Sequence, residues 1–201
     1  FFDIGANIGL YSIYFSQINR GISYAFEPSV FNLAQLAKNI SINKLTNKIN
    51  IVTNPLSNLT SFSKFINSNT EIGGALNAFG VEYGYDGNQI KNNIEYSILG
   101  FSIDFMFEVG LLNKIPSMIK IDVDGIEHLI LEGAKKTIRN KNCKTIYIEV
   151  NDNFKIASNE INRILKDSGF SFKEKRVSKL ISDNNRTNST FNQIWVKSTS
   201  L

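Results

Sequence analysis

The first fifty residues constrain the fold most. They alternate strand, helix, strand, helix, strand, with only a few residues in each connection. Phe1 to Ile4 reads as a short apolar strand. Leu10 to Ile18 carries apolar residues at Leu10, Ile13, Tyr14 and Ile18, a helical spacing. Ile22 to Phe26 is a second strand, stopped by Glu27-Pro28. Ser29 is placed to N-cap a helix marked by Phe31, Leu33, Leu36, Ala37 and Ile40, and Ile49 to Val52 is a third strand. Parallel strands need crossover connections, so this series predicts a parallel sheet covered by helices.

The middle of the chain is less regular. Leu59 to Ile66 reads as an edge strand. Gly73 to Gly87 holds five glycines with aromatics between them, and reads as a surface loop or β-ribbon. Tyr96 to Phe101 is a strand, and Ile103 to Leu112 a helix capped by Ser102. The alternation then resumes. Met118 to Val123 is a strand, Ile126 to Ile138 an amphipathic helix, Thr145 to Val150 a strand, and Ile156 to Leu165 a helix closed by Gly169. Phe170 to Lys175 and Phe191 to Lys197 form a final antiparallel pair across the polar loop Asp183-Asn184-Asn185-Arg186. A length of 201 residues suits one domain, 1–201, with 73–87 as an insertion. The chain opens Phe1-Phe2-Asp3 inside a strand and without methionine, so upstream sequence is expected.

Composition excludes several classes. One cysteine, Cys143, and one histidine, His128, rule out an internal disulfide and His/Cys-rich metal sites. They suit a reducing compartment, and a cytoplasmic location is expected. No apolar run is long enough for a membrane span. The net charge is +4, but the lysines are dispersed. The one dense run, Lys173, Lys175, Arg176 and Lys179, reads as a solvated strand face, so no nucleic-acid partner is expected.

Chemistry belongs at the carboxyl ends of the parallel strands. Asp3-Ile4-Gly5-Ala6-Asn7-Ile8-Gly9 leaves strand one there. Its G-x-x-x-G spacing is not the G-x-G-x-x-G of a pyrophosphate-binding turn. Asp3 can accept a hydrogen bond from an ammonium group, where a diphosphate would be repelled. Glu27 ends strand two, 24 residues after Asp3, where an acidic side chain can accept from both ribose hydroxyls. The less favoured reading of Glu27 is a carboxylate at a helix N-terminus, stabilised by the macrodipole. A ribose acceptor, an ammonium acceptor and no phosphate cradle together favour S-adenosylmethionine over a nicotinamide dinucleotide.

Four segments in order carry a family resemblance: Asp3-Ile-Gly-Ala-Asn-Ile-Gly9, Ala25-Phe-Glu-Pro28, Pro55-Leu-Ser-Asn58 and Ile119-Lys-Ile-Asp-Val-Asp-Gly-Ile-Glu127. The chain resembles the FkbM family of S-adenosylmethionine-dependent methyltransferases from residue 1 to about 152. Ser102-Ile-Asp104 and Glu149-Val-Asn151 add to the likeness. Asp124 departs from it, since glutamate is more usual there. The resemblance implies a Rossmann-like class I α/β fold: a seven-stranded, mostly parallel sheet of order 3-2-1-4-5-7-6, strand seven antiparallel, with helices on both faces. It also implies that Asp3, Gly5, Asn7 and Gly9 line the methionine end of the cofactor, that Glu27 holds the ribose, and that Ser57 lies near the adenine beside Phe26 and Leu56. For Ser57 a turn-capping role is equally open.

Methyl transfer needs an acceptor oxygen aligned with the sulfonium methyl, and a route for its proton. Strand alternation puts Asp122 and Asp124 on one side at the catalytic edge. Asp122 is also a cofactor-binding candidate, and Asp124 or His128 is a candidate base. A magnesium ion on Asp122, Asp124, Asn151 and Asp152 is a further possibility, less favoured, because hard oxygen ligands suit Mg²⁺. The expected activity is O-methylation of a small-molecule or glycan hydroxyl, an acceptor class taken from the resemblance. The alternative is a non-catalytic Rossmann-like nucleotide-binding module.

Overall fold

The computed structural model describes residues 1–90, 94–176 and 189–197. Ten strands and six helices lie in these residues: β1 (Phe2–Ile4), α1 (Leu10–Asn19), β2 (Ser23–Phe26), α2 (Val30–Ile42), β3 (Ile49–Val52), β4 (Ser61–Asn67), β5 (Ala78–Phe79), β6 (Ile94–Gly100), α3 (Ile103–Glu108), β7 (Met118–Ile121), α4 (Glu127–Glu132), α5 (Lys135–Arg139), β8 (Thr145–Asn151), α6 (Lys155–Asp167), β9 (Phe170–Arg176) and β10 (Thr190–Lys197). Seven of the strands form one sheet of order β3-β2-β1-β7-β8-β10-β9. β3, β2, β1, β7 and β8 run parallel, while β10 is antiparallel to both β8 and β9. The expected sheet order and the antiparallel last strand are both present. The polar loop at Asp183–Arg186 and Lys179 lie outside the described residues.

The sheet is apolar on both faces where helices cover it. Phe2, Ile4, Ile119, Ile121, Ile146 and Ile148 point to the face that packs on α3, α4 and α6. Ala25 and Ile49 point to the other face and meet Leu36 and Ile40 of α2. Trp195 of β10 is fully buried and donates its indole N–H to Gln193 Oε1 at 2.9 Å.

Several local expectations need correction. The stripe Leu10, Tyr14 and Ile18 of α1 faces outward, each at least 60% exposed, and Ile13 alone of the four packs inward. The buried residues of α1 are Ser12 and Ser16. Ser12 Oγ donates to Asp3 Oδ2 at 2.7 Å, and Ser16 Oγ lies 2.8 Å from Ser23 Oγ. The strands beneath carry buried polar groups, so a polar helix face is turned inward to bond them. Ser29 stands at the N-cap of α2 but makes no side-chain cap. Its hydroxyl donates to Asn67 instead, at 3.0 Å.

Residues 126–138 form two short helices, not one. Gly133 sits where a Cβ would fall 2.3 Å from the Ser57 carbonyl oxygen. Asp104 accepts from the Lys136 and Thr137 amides, capping α5 from outside. α3 stops at Glu108 because Gly110 turns left-handed, with φ +77°. Its predicted cap is present, with Ser102 Oγ accepting from Phe105 N at 3.2 Å.

β4 is central rather than an edge strand. It pairs with β5 and β6 in a separate three-stranded antiparallel sheet. Residues 73–87 form a strap that includes β5 and returns across the carboxyl edge of the large sheet. No helix among the described residues is long and apolar enough to cross a membrane.

Candidate active site

A cavity of about 390 Å³ opens at the carboxyl ends of β1, β2 and β7, within the size range of small-molecule and cofactor sites. The turn after β1 builds its floor. Gly5 (φ +78°) and Asn7 (φ +51°) both take left-handed backbone, and the Gly5 and Ala6 amides donate to the Phe26 carbonyl. A Cβ on Gly5 would lie 1.9 Å from the Asp122 carbonyl oxygen. The turn after β1 therefore presses directly on the end of β7.

Glu27 is 4% exposed and lines this cavity. Its Oε2 accepts from the Asn7 amide and its Oε1 from the Ser29 amide, both at 2.8 Å. Burial pushes its pKa up to about 7, against the pull of those two amides. The carboxylate thus bonds the amides of the loop and of the start of α2 and also lines the cavity.

Of the other expected cofactor residues, Gly5, Asn7 and Asp122 line the cavity, as do Phe26 and Leu56. Asp3, Gly9 and Ser57 do not. Asp3 is fully buried behind the wall, facing Ser12 and Lys120. Gly9 (φ +93°) starts α1 against Leu36. The hydroxyl of Ser57 donates to Asn58 Oδ1 at 3.2 Å, the turn role left open above.

The structure also separates the three catalytic candidates. Asp122 and Asp124 line the cavity. His128 sits on α4 beside Phe154, away from it, with burial lowering its pKa. Asp124 takes left-handed backbone (φ +62°), which aspartate tolerates better than glutamate does. Its Oδ2 accepts from the Leu76 amide at 2.7 Å and the Asn77 amide at 3.2 Å, latching the strap.

Glu127 braces the same turn, accepting from the Val123 and Gly125 amides, and burial raises its pKa to about 7. Glu149 on β8 is raised to about 9 by burial and by Asp122, Glu127 and Asp124. The proposed metal set is not gathered. Asp152 pairs with Lys175, and Asn151 bonds the Tyr85 carbonyl and the Asn153 amide. Among the described residues no group of three or more His, Cys, Asp or Glu is arranged to hold a metal ion.

The strap covers the cavity and is tied down at several points. Asn7 Nδ2 donates to the Gly73 and Gly74 carbonyls, and Asn32 Nδ2 to that of Gly74. Phe79 enters the core and lines the cavity, while Tyr83 packs on Phe154. Replacing Asp124 by alanine removes a charged acceptor, so the Leu76 and Asn77 amides are expected to exchange with deuterium about 10–100-fold faster. Asp124→Asn keeps an acceptor and should fall between. Unchanged exchange in the alanine variant would show that the strap does not depend on this latch.

Sequence reading missed Lys120. It lies two residues before Asp122, which follows β7 and still bonds β1 by donating its amide to the Ile4 carbonyl, so alternation alone places both side chains together. Its amine is 3.1 Å from Asp122 Oδ2 and 3.6 Å from Asp3 Oδ1. Burial opposes its charge, but Asp122 and Asp3 outweigh burial and hold its pKa up at about 12.

Residues 3–172 match the model of the methyltransferase FkbM domain. The chain belongs to the FkbM methyltransferase family. The family and fold are those of S-adenosylmethionine-dependent methyltransferases. FkbM from Methylobacillus flagellatus KT superposes with a TM-score of 0.61 at 16% identity, covering 97% of this chain and 42% of that one. An rRNA methylase from Streptococcus thermophilus gives 0.54 at 11% identity, with 98% and 86% covered. Precorrin-6y C5,15-methyltransferase from Geobacter metallireducens GS-15 gives 0.51 at 15% identity, with 98% and 78% covered. The chain therefore spans less than half the length of the FkbM structure it resembles. No match was found among curated proteins.

Proposed function

We propose that this FkbM-family chain transfers the methyl group of S-adenosylmethionine to a hydroxyl oxygen of a sugar, glycan or secondary metabolite. The observation that carries the cofactor half is Glu27, a buried carboxylate held by two backbone amides at the rim of a mainly apolar cavity. In this reading Glu27 accepts from the ribose hydroxyls, and Phe26 and Leu56 flank the adenine. Three carboxylates line the cavity (Glu27, Asp122 and Asp124) against one cation, Lys120. That balance suits a sulfonium and disfavours a diphosphate. When bound, the cofactor supplies an electrophilic methyl group. The chain positions the acceptor beneath the strap, and Asp122 and Asp124 are the cavity carboxylates available to its proton.

The acceptor class rests on the family resemblance. The basic strand β9 offers little to a nucleic acid, since Lys175 pairs with Asp152 and Arg176 with Glu174. The test is transfer of labelled methyl to a panel of sugars, glycans, hydroxylated metabolites and RNA, with and without EDTA. Label on a hydroxyl oxygen is the expected result, and label on RNA alone would overturn the acceptor class. Cofactor binding without transfer to any acceptor would favour the non-catalytic module. A folded sample stabilised by NAD and not by S-adenosylhomocysteine would overturn the cofactor.

A further inference from the structure

Lys120 is 3% exposed, yet its side chain reaches the cavity wall. A buried lysine between two carboxylates is costly to desolvate and needs its donors well used. Here they are not. The amine lies 3.1 Å from Asp122 Oδ2, but 3.6 Å from Asp3 Oδ1, and that oxygen has no hydrogen-bond partner. The Tyr11 ring lies 4.7 Å away beneath the amine. An ammonium has three donors, so capacity remains on the cavity side.

Among the described residues Lys120 is the one cation lining the cavity. The other charged side chains lining this cavity, Glu27, Asp122 and Asp124, would repel a carboxylate. The start of α1 lies alongside. Ile8, Leu10 and Tyr11 line the same cavity, Gly9 makes no side-chain cap, and the first turn carries no acidic residue. The helix N-terminus adds to the positive potential there.

We infer that Lys120 is the specificity-determining residue for the carboxylate of the cofactor's amino-acid end, with Asp122 beside it receiving the ammonium. This rests on the cofactor reading above. It also assigns Lys120 a choice: the chain selects ligands that keep the carboxylate over decarboxylated ones.

The experiment is calorimetric titration of three ligands: S-adenosylhomocysteine, its decarboxylated analogue and 5′-methylthioadenosine. The wild-type protein is expected to bind S-adenosylhomocysteine about 10–100-fold more tightly than the decarboxylated analogue, the worth of one charged hydrogen bond. In Lys120→Met that preference should vanish while affinity for 5′-methylthioadenosine stays the same. Because Lys120→Met leaves Asp3 buried without a counter-ion, Asp3→Asn/Lys120→Met is the second variant, with Asp3→Asn as its control. Retained 5′-methylthioadenosine binding shows that a variant is folded. Equal binding of the two larger ligands by the wild type overturns the proposal without any variant. A folded variant that keeps the preference also overturns it. A folded wild type that binds none of the three ligands would overturn the cofactor reading itself.

Discussion

Glu27→Ala is expected to abolish the thermal stabilisation of this protein by S-adenosylhomocysteine. Two hydrogen bonds from ribose hydroxyls to a buried carboxylate would be lost, weakening affinity by about 100-fold or more. The Asn7 and Ser29 amides lose their acceptor in the same step, so the loop after β1 loosens as well. Glu27→Gln keeps one acceptor and should retain part of the affinity. The wild type carries a pH signature of the same group. With Glu27 held near 7, ligand binding takes the ionised form, so affinity is expected to fall up to about tenfold per pH unit below 7 and to level off above 8.

The stability of the unliganded protein moves the opposite way. Its carboxyl titrates near 4.5 when unfolded and near 7 when folded, so Glu27 favours folding below 4.5 and loses that contribution as pH rises through 7. Glu127, near 7, and Glu149, near 9, add to the stability slope, and subtracting the Glu27→Ala profile isolates Glu27. Calorimetry and thermal melts across pH 5.5 to 8.5 read both slopes. Affinity independent of pH in the wild type, or full stabilisation in Glu27→Ala, would remove Glu27 from the binding site.

Gly5→Ala is expected to be the most damaging single methyl group in the chain. The added Cβ would fall 1.9 Å from the Asp122 carbonyl oxygen and 2.9 Å from its carbon, both backbone atoms. Neither strand end can move aside, since the Gly5 amide bonds Phe26 O and the Asp122 amide bonds Ile4 O. A cost of about 3–5 kcal/mol is expected, a large share of ordinary domain stability. That corresponds to a fall in Tm of roughly 10 °C. Gly110→Ala is the control. It has nearly the same φ, +77° against +78°, but nothing within 4 Å of the new methyl group. It should cost only the left-handed strain, about 1–2 kcal/mol. Similar losses in the two variants would mean that strain, not contact with β7, is what Gly5 avoids.

The parallel sheet was legible because its strands are short apolar runs with turn residues at their ends, and the antiparallel β10 because it followed a completed βα series. The carboxyl-edge motifs were legible for the same reason, which is how Glu27 and Asp122 were placed. What failed was the facing of elements whose neighbours are distant in sequence. Leu10, Tyr14 and Ile18 keep helical spacing, but Asp3 and Ser23 decide which way α1 turns. The need for glycine at 133, between α4 and α5, comes from the Ser57 carbonyl, far away along the chain. His128 looked reactive by residue type, and only its place on α4 beside Phe154 removes it from the cavity. Lys120 could have been read from alternation alone, but the lysine inside an apolar run drew less attention than the carboxylates after it.

The strap over the cavity is held by a particular kind of contact. Asn7, Asn32, Ser68, Asn69, Asp124 and Asn151 grip it at main-chain atoms: the carbonyls of Gly73, Gly74, Ala75 and Tyr85, and the amides of Gly73, Leu76 and Asn77. Main-chain atoms are common to every residue type except for the missing proline N–H. These bonds do not read the strap's side chains, and positions such as Ala75 can be exchanged without untying them. Holding the cover in place and choosing what lies under it are, in this chain, tasks of different atoms. A library that varies the cavity-facing side chains of the strap while leaving these polar anchors untouched would change the shape of the chamber on a fixed frame.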